Sequence, residues 1–107
     1  MTDAFTTAGF LGLSAALLGI GLFGILTRRN FILLLISIEI AINSAVLNFV
    51  YFAAFAPTAT VALAGQSAAV VIVGLAATEV AVGLAIVLAL NRIRGSINVA
   101  EATRLRL

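Results

Sequence analysis

Three long apolar runs, each closed by arginine or proline, constrain this chain more than any other feature. They extend over residues 8–27, 31–55 and 67–90. A membrane-spanning helix needs about 20 consecutive, mostly apolar residues. Each run meets that length, and none shows the two-residue alternation of a membrane β-barrel strand. The expected fold is therefore an all-α integral membrane protein with three transmembrane helices in a single membrane domain, residues 1–107. The first run stops at Arg28-Arg29-Asn30, the second near Pro57, and the third at Asn91-Arg92-Ile93-Arg94. Small and polar residues from Pro57 to Gln66 predict a linker, and the polar tail 95–107 is expected to be irregular or interfacial.

Composition agrees with this reading. Hydrophobic residues make up 64% of the chain and charged residues 9%, too little polar surface for a soluble body of 107 residues. Without cysteine, disulfides and thiolate chemistry are excluded. Without histidine, the commonest general base and zinc ligand are missing. The six basic residues are all arginines at span ends, so they read as topology signals and predict no nucleic-acid partner. The N-terminus carries Asp3 in place of a basic region, and its apolar run ends at an arginine pair, so it is read as a retained span.

Arginine placement also predicts orientation. Arg28 and Arg29 lie between spans 1 and 2, and Arg92, Arg94, Arg104 and Arg106 follow span 3. Three spans put these regions on one side, and the opposite side has no basic residue. The positive-inside tendency then places the C-terminus in the cytoplasm and the N-terminus outside.

Glu39 and Glu79 break the apolar pattern. Glu39 lies ten residues after Arg29, about 15 Å along a helix and near the middle of a core about 30 Å thick. Glu79 lies thirteen residues from both Gln66 and Arg92 and is also roughly central. A carboxylate at that depth is costly and marks a functional site by default. With no lysine in the chain and its arginines at span ends, neither glutamate has an evident basic partner. Low dielectric makes the neutral form competitive, and a group that can both accept and release a proton suits a relay. Hydrogen bonding to a neighbouring helix is the purely structural alternative.

Helical spacing sets the neighbours. Asn43 lies about 40° from Glu39, while Ser37, Ser44 and Asn48 fall on nearly the opposite face. Two polar faces suit a helix held between partners. The serines read as packing groups, and Asn43 and Asn48 as either packing groups or residues that hydrate the glutamate. Ala76, Glu79 and Gly83 share a stripe that permits close packing or leaves room for water. Gly12, Ala16 and Gly19 read as a packing seam on span 1. Three helices enclose little volume, which predicts membership of a larger membrane assembly.

The segment Ser37-Ile38-Glu39-Ile40-Ala41-Ile42-Asn43-Ser44 resembles the second helix of the K subunit family of NADH-quinone oxidoreductase, complex I. Thr27-Arg28-Arg29-Asn30 is similar to that family's basic loop, Gly65-Gln66 to the start of its third helix, and Ala76-Ala77-Thr78-Glu79 with Gly83 to its acidic stretch. Ile97-Asn98-Val99 fits its tail. Thr78 stands where alanine is usual, and the Pro57–Ala64 segment departs from the common pattern. The resemblance implies a subunit of a proton-pumping membrane arm, between quinone-proximal and antiporter-like subunits, in an energy-transducing cell membrane. It implies that Glu39 and Glu79 serve proton translocation; Asn43 and Asn48 are expected as supporting residues from their positions on span 2 alone. It places flavin, iron–sulfur clusters and quinone in partner subunits, with no cofactor or metal held here. The electron donor, whether NADH, ferredoxin or deazaflavin, stays open. The alternatives are a C-type subunit of a multisubunit sodium/proton antiporter, a small multidrug transporter and a purely structural assembly subunit. The acidic second span argues against the first, and the uncharged first span against the second.

Overall fold

The structure is a computed structural model that describes residues 3–95 and 97–102. It contains α1 (Ala4–Thr27), α2 (Phe31–Ala54), α3 (Ala59–Arg94) and a short α4 (Val99–Ala102). The first three are each long and apolar enough to cross a membrane, as the sequence predicts.

Polar groups at the chain breaks fix the helix ends. The Asp3 carboxylate caps α1 by accepting from the Thr6 N–H at 2.8 Å. The Thr6 hydroxyl and N–H hold that carboxyl below the usual carboxylate range. Asn30 Oδ1 accepts from the N–H groups of Ile32 and Leu33 and caps α2. Thr58 Oγ1 accepts from the Val61 N–H and starts α3. The segment expected to be a linker as far as Gln66 is therefore helical from Ala59. Alanine is the strongest helix former, and a capped alanine-rich stretch stays helical where its hydropathy is low. At 36 residues, α3 is about 54 Å long and outruns the bilayer core. It ends at Gly95, whose φ of 67° is the left-handed conformation that favours glycine.

α2 lies between α1 and α3, which share no extensive interface of their own. The result is a thin slab of 58 × 25 × 16 Å, little more than one helix thick. Little is buried: among the described residues the buried hydrophobic side chains are Tyr51, Ala53, Ala69, Ala76 and Val87. Large apolar side chains such as Leu26, Val70 and Leu75 lie open on the slab, which suits lipid or partner helices.

α1 packs on α2 through small residues. A Cβ on Gly21 would sit 2.7 Å from the backbone nitrogen of Ala41, and one on Gly24 would collide with Ser37 Oγ. Ser14 donates to the Ser44 carbonyl at 3.0 Å. Thr7 and Tyr51 share a 2.8 Å hydroxyl hydrogen bond, with Phe10 stacked on the tyrosine at 4.5 Å. The seam expected at Gly12, Ala16 and Gly19 is not the one used. Gly12 and Gly19 have nothing within 4 Å of a Cβ, and Ala16 is exposed. α1 carries small residues on two faces, and α2 takes the other one.

Beyond Gly95 the chain returns to the α1–α2 loop. Phe31 donates to the Ile97 carbonyl at 3.1 Å, Val99 donates to the Arg29 carbonyl at 2.7 Å, and Asn30 and Asn98 form an antiparallel bridge. Arg28, Arg29, Arg92 and Arg94 thus gather at one end of the slab. The described part of the tail is a pinned turn and not an irregular extension. Residues 103–107 of the expected tail, with Arg104 and Arg106, lie outside the described residues.

Candidate functional site

The packing of α2 on α3 sets the geometry of the acidic residues. α3 meets α2 along Gly65, Ala69, Ala76, Gly83 and Val87, spaced four or seven residues apart as one helix face requires. Gly65 lies against Ala53, and a Cβ on Gly83 would come within 2.5 Å of Leu35 Cδ2. Leu35 to Ala53 and Gly65 to Gly83 span equal lengths of helix, so the antiparallel register does not slip between the two contacts. Glu39 is four residues beyond Leu35, and Glu79 is four before Gly83. The register therefore brings the two glutamates level.

They share more than depth. Glu39 and Glu79 both line one cleft of about 150 Å³ between α2 and α3, completed by Leu35, Ile38, Ile42 and Val80. That volume accommodates several water molecules. Glu39 is half-buried and Glu79 is exposed. Among the described residues neither carboxyl has a hydrogen-bond or ion-pair partner. The walls are aliphatic, so the two carboxyls are the cleft's only titratable groups. Such a cleft can hold water between two proton-exchanging groups and shield it from other polar side chains of this chain.

Glu79 also borders a second cleft, of about 350 Å³, with Ile42, Ile72, Leu75, Ala76 and Thr78. Thr78 donates its hydroxyl hydrogen to the Leu75 carbonyl at 2.7 Å. Its oxygen keeps lone pairs that can accept from water.

The asparagines lie elsewhere. The face of α2 that lines the glutamate cleft centres between Glu39 and Ile38, so Asn43 falls about 90° from that centre and is exposed. Asn48 borders a separate cleft of about 500 Å³ with Phe49, Phe52, Val61 and Gly65, about 13 Å of helix from Glu39. Its buried Oδ1 has no hydrogen-bond partner. Ser37 and Ser44 are buried toward α1, as expected of packing groups. Leu35, Ile38, Ile42 and Val80 were not singled out from sequence. Leu35 and Ile42 lie four and three residues from Glu39, which was the available signal, whereas Ile38 and Val80 are chain neighbours of the glutamates on helices that are apolar on most sides. Among the described residues no cluster of three or more histidine, cysteine, aspartate or glutamate side chains could hold a metal ion.

Residues 9–107 match the family described as NADH-ubiquinone/plastoquinone oxidoreductase chain 4L. The chain is 47% identical over 92 residues to NADH-quinone oxidoreductase subunit K of Anaeromyxobacter sp. (strain K), covering 86% of this chain and 89% of that one. It is 43% identical to the subunit K of Desulfitobacterium hafniense, over 94% of both chains. The subunit K of Deinococcus radiodurans is 40% identical over 99% of both.

Proposed function

This chain belongs to the NADH-ubiquinone/plastoquinone oxidoreductase chain 4L family, and from that premise we propose that Glu39 and Glu79 are consecutive stations of one proton relay. As a subunit of NADH-quinone oxidoreductase, a translocase complex, the chain is a multi-pass protein of the bacterial inner membrane. Its own share of the work is proton handling. Flavin, iron–sulfur clusters and quinone sit in partner subunits, and the quinone-proximal and antiporter-like subunits flank this one. The arginine end, with the C-terminus, faces the cytoplasm, and the N-terminus lies outside. Both assignments of place follow from the resemblance and from the arginine asymmetry.

The observation that carries the proposal is the shared cleft, which sets two level carboxyls on a water-sized space with aliphatic walls. A proton leaving one carboxyl can reach the other through that water. Asn43, exposed beside Glu39, is placed to steer the glutamate's link to a partner subunit. Asn48, on another face of α2 and in a separate cleft, would support the relay only at a distance.

Glutamine keeps the shape and hydrogen-bonding capacity of glutamate but cannot exchange a proton in this range. Glu39→Gln and Glu79→Gln should assemble, yet lose quinone-coupled proton translocation by about a hundredfold, the low end for removal of a proton-transfer group. Glu39→Asp should retain more activity than Glu39→Gln, and Glu39 should be the more sensitive site. Electron transfer to artificial acceptors should survive. Assembled variants that pump at the wild-type rate would leave the glutamates as packing groups. For orientation, single cysteines at Pro57 and Ile93 should label from opposite faces of the membrane, with Pro57→Cys outside. Labelling from one face would remove the three-span arrangement.

A further inference from the structure

Two residues belong to both clefts at the α2–α3 interface: Ile42 and Glu79. The smaller cleft holds Glu39, and the larger one holds Thr78. Glu79 is exposed and held by no partner among the described residues, and its flexible side chain can reach either space. Ile42 is branched at Cβ and has one strongly preferred rotamer in a helix, so it forms a stiff wall. A hydrophobic constriction of this kind excludes water and interrupts a proton wire.

We propose that Ile42 is a partition between two water-holding clefts, and that the Glu79 carboxyl carries protons past it by changing rotamer. The proposal rests on the relay reading and deepens it. In one position Glu79 faces the Glu39 cleft and accepts a proton from water there, which leaves that water to be reprotonated by Glu39. The neutral carboxylic acid swings past Ile42, because an uncharged group crosses apolar surroundings at far lower cost than a charged one. In the second cleft it releases the proton to water that donates to the free lone pairs of Thr78 Oγ1, whose own hydrogen is held by the Leu75 carbonyl. The carboxylate then returns to the Glu39 side, and because it crosses the apolar partition charged, this return is the slow step of the cycle. Ile42 thereby makes proton passage depend on Glu79 motion, and a continuous water file cannot short-circuit the two sides. Ile42 acts here as a positioning residue, since it exchanges no proton itself.

The test uses the whole complex in sealed vesicles, with quinone reduction inhibited and an imposed proton gradient. Proton leak is measured per assembled complex, together with the infrared carbonyl stretch of the protonated carboxyl that disappears in Glu79→Gln. Ile42→Ala should raise the leak above wild type and shift the Glu79 band, because the two clefts merge. Ile42→Leu restores the bulk and should return both readings toward wild type. Adding Glu79→Gln to Ile42→Ala should leave the raised leak in place, because a merged water file no longer needs the carrier. If Ile42→Ala does not assemble, Ile42→Val, which removes one methyl group, should show the same changes at smaller size. An assembled Ile42→Ala complex with wild-type leak and an unshifted Glu79 band would overturn the partition and leave the relay standing. The relay itself falls if either glutamine variant pumps like wild type, so the two failures are separable.

Discussion

The two interfaces of α2 are built from the same small residues to opposite ends. Against α1 the helix is closed along its length. Gly21 lies on Ala41, Gly24 on Ser37, and the Ser14 hydroxyl reaches the Ser44 carbonyl. Against α3 it is packed along Gly65, Ala69, Ala76 and Gly83, and beside that seam a cleft is lined by Glu39 and Glu79. In lipid, where the hydrophobic effect does not drive helix association, close packing of small residues holds helices together. One face of α2 uses such packing throughout. The other uses it along a seam that leaves a cleft to one side, and both glutamates line that cleft. Separation of these tasks between the two faces explains why the acids leave the fold intact.

This contrast can be broken most forcefully at Gly21. Gly21→Ala sets a methyl group 2.7 Å from the Ala41 backbone, which cannot move without shifting α2. The expected cost is about 1–3 kcal/mol, read as a reduced yield of the chain in the assembled complex. Gly19→Ala has open space within this chain and should not destabilise the α1–α2 pair. If it does, the seam has been assigned to the wrong face.

A smaller effect sharpens the same comparison. Ser14→Ala removes an interhelical hydrogen bond, which is worth about 0.6 kcal/mol in membranes. Thermal unfolding of the detergent-extracted complex should shift slightly, with proton pumping unchanged. A large pumping defect would mean that the α1 seam is not separate from the relay.

The smallest effect lies at the start of α1. The Asp3 carboxyl is held below its usual range by Thr6, so its contribution to the cap is full above the unfolded-state value. That contribution fades as pH falls through the lower folded value. Amide exchange at Thr6 and Thr7 should quicken in Asp3→Ala at neutral pH, and in the native chain only under acid. The glutamate cleft should not respond to either change.

Much of this arrangement is legible in the sequence, for identifiable reasons. Arginines mark span ends, and counting inward from them gives the depth of Glu39 and Glu79. The gathering of Arg28, Arg29, Arg92 and Arg94 at one end follows from three spans. The start of α3 is not legible from hydropathy, because Ala59 to Gln66 are weakly apolar yet rich in alanine behind the Thr58 cap. The α1 seam is hidden because small residues line two faces, and which face meets α2 is settled by tertiary fit. Asn43 shares a helical quadrant with Glu39, but the cleft lies on the glutamate's other flank, toward Ile38 and Ile42. Angular proximity alone does not say on which side a neighbouring helix stands. The return of the tail onto Asn30 depends on backbone hydrogen bonds, which the side chains do not announce.

The central claim is that Glu39 and Glu79 act in series across one cleft. The most direct measurement is proton translocation per electron in four assembled complexes: wild type, Glu39→Gln, Glu79→Gln and the double variant. Groups on one pathway are non-additive, because a path already cut cannot be cut again. The account predicts a double variant no worse than the more severe single. Losses that multiply in the double variant, or wild-type translocation in either single, would contradict it.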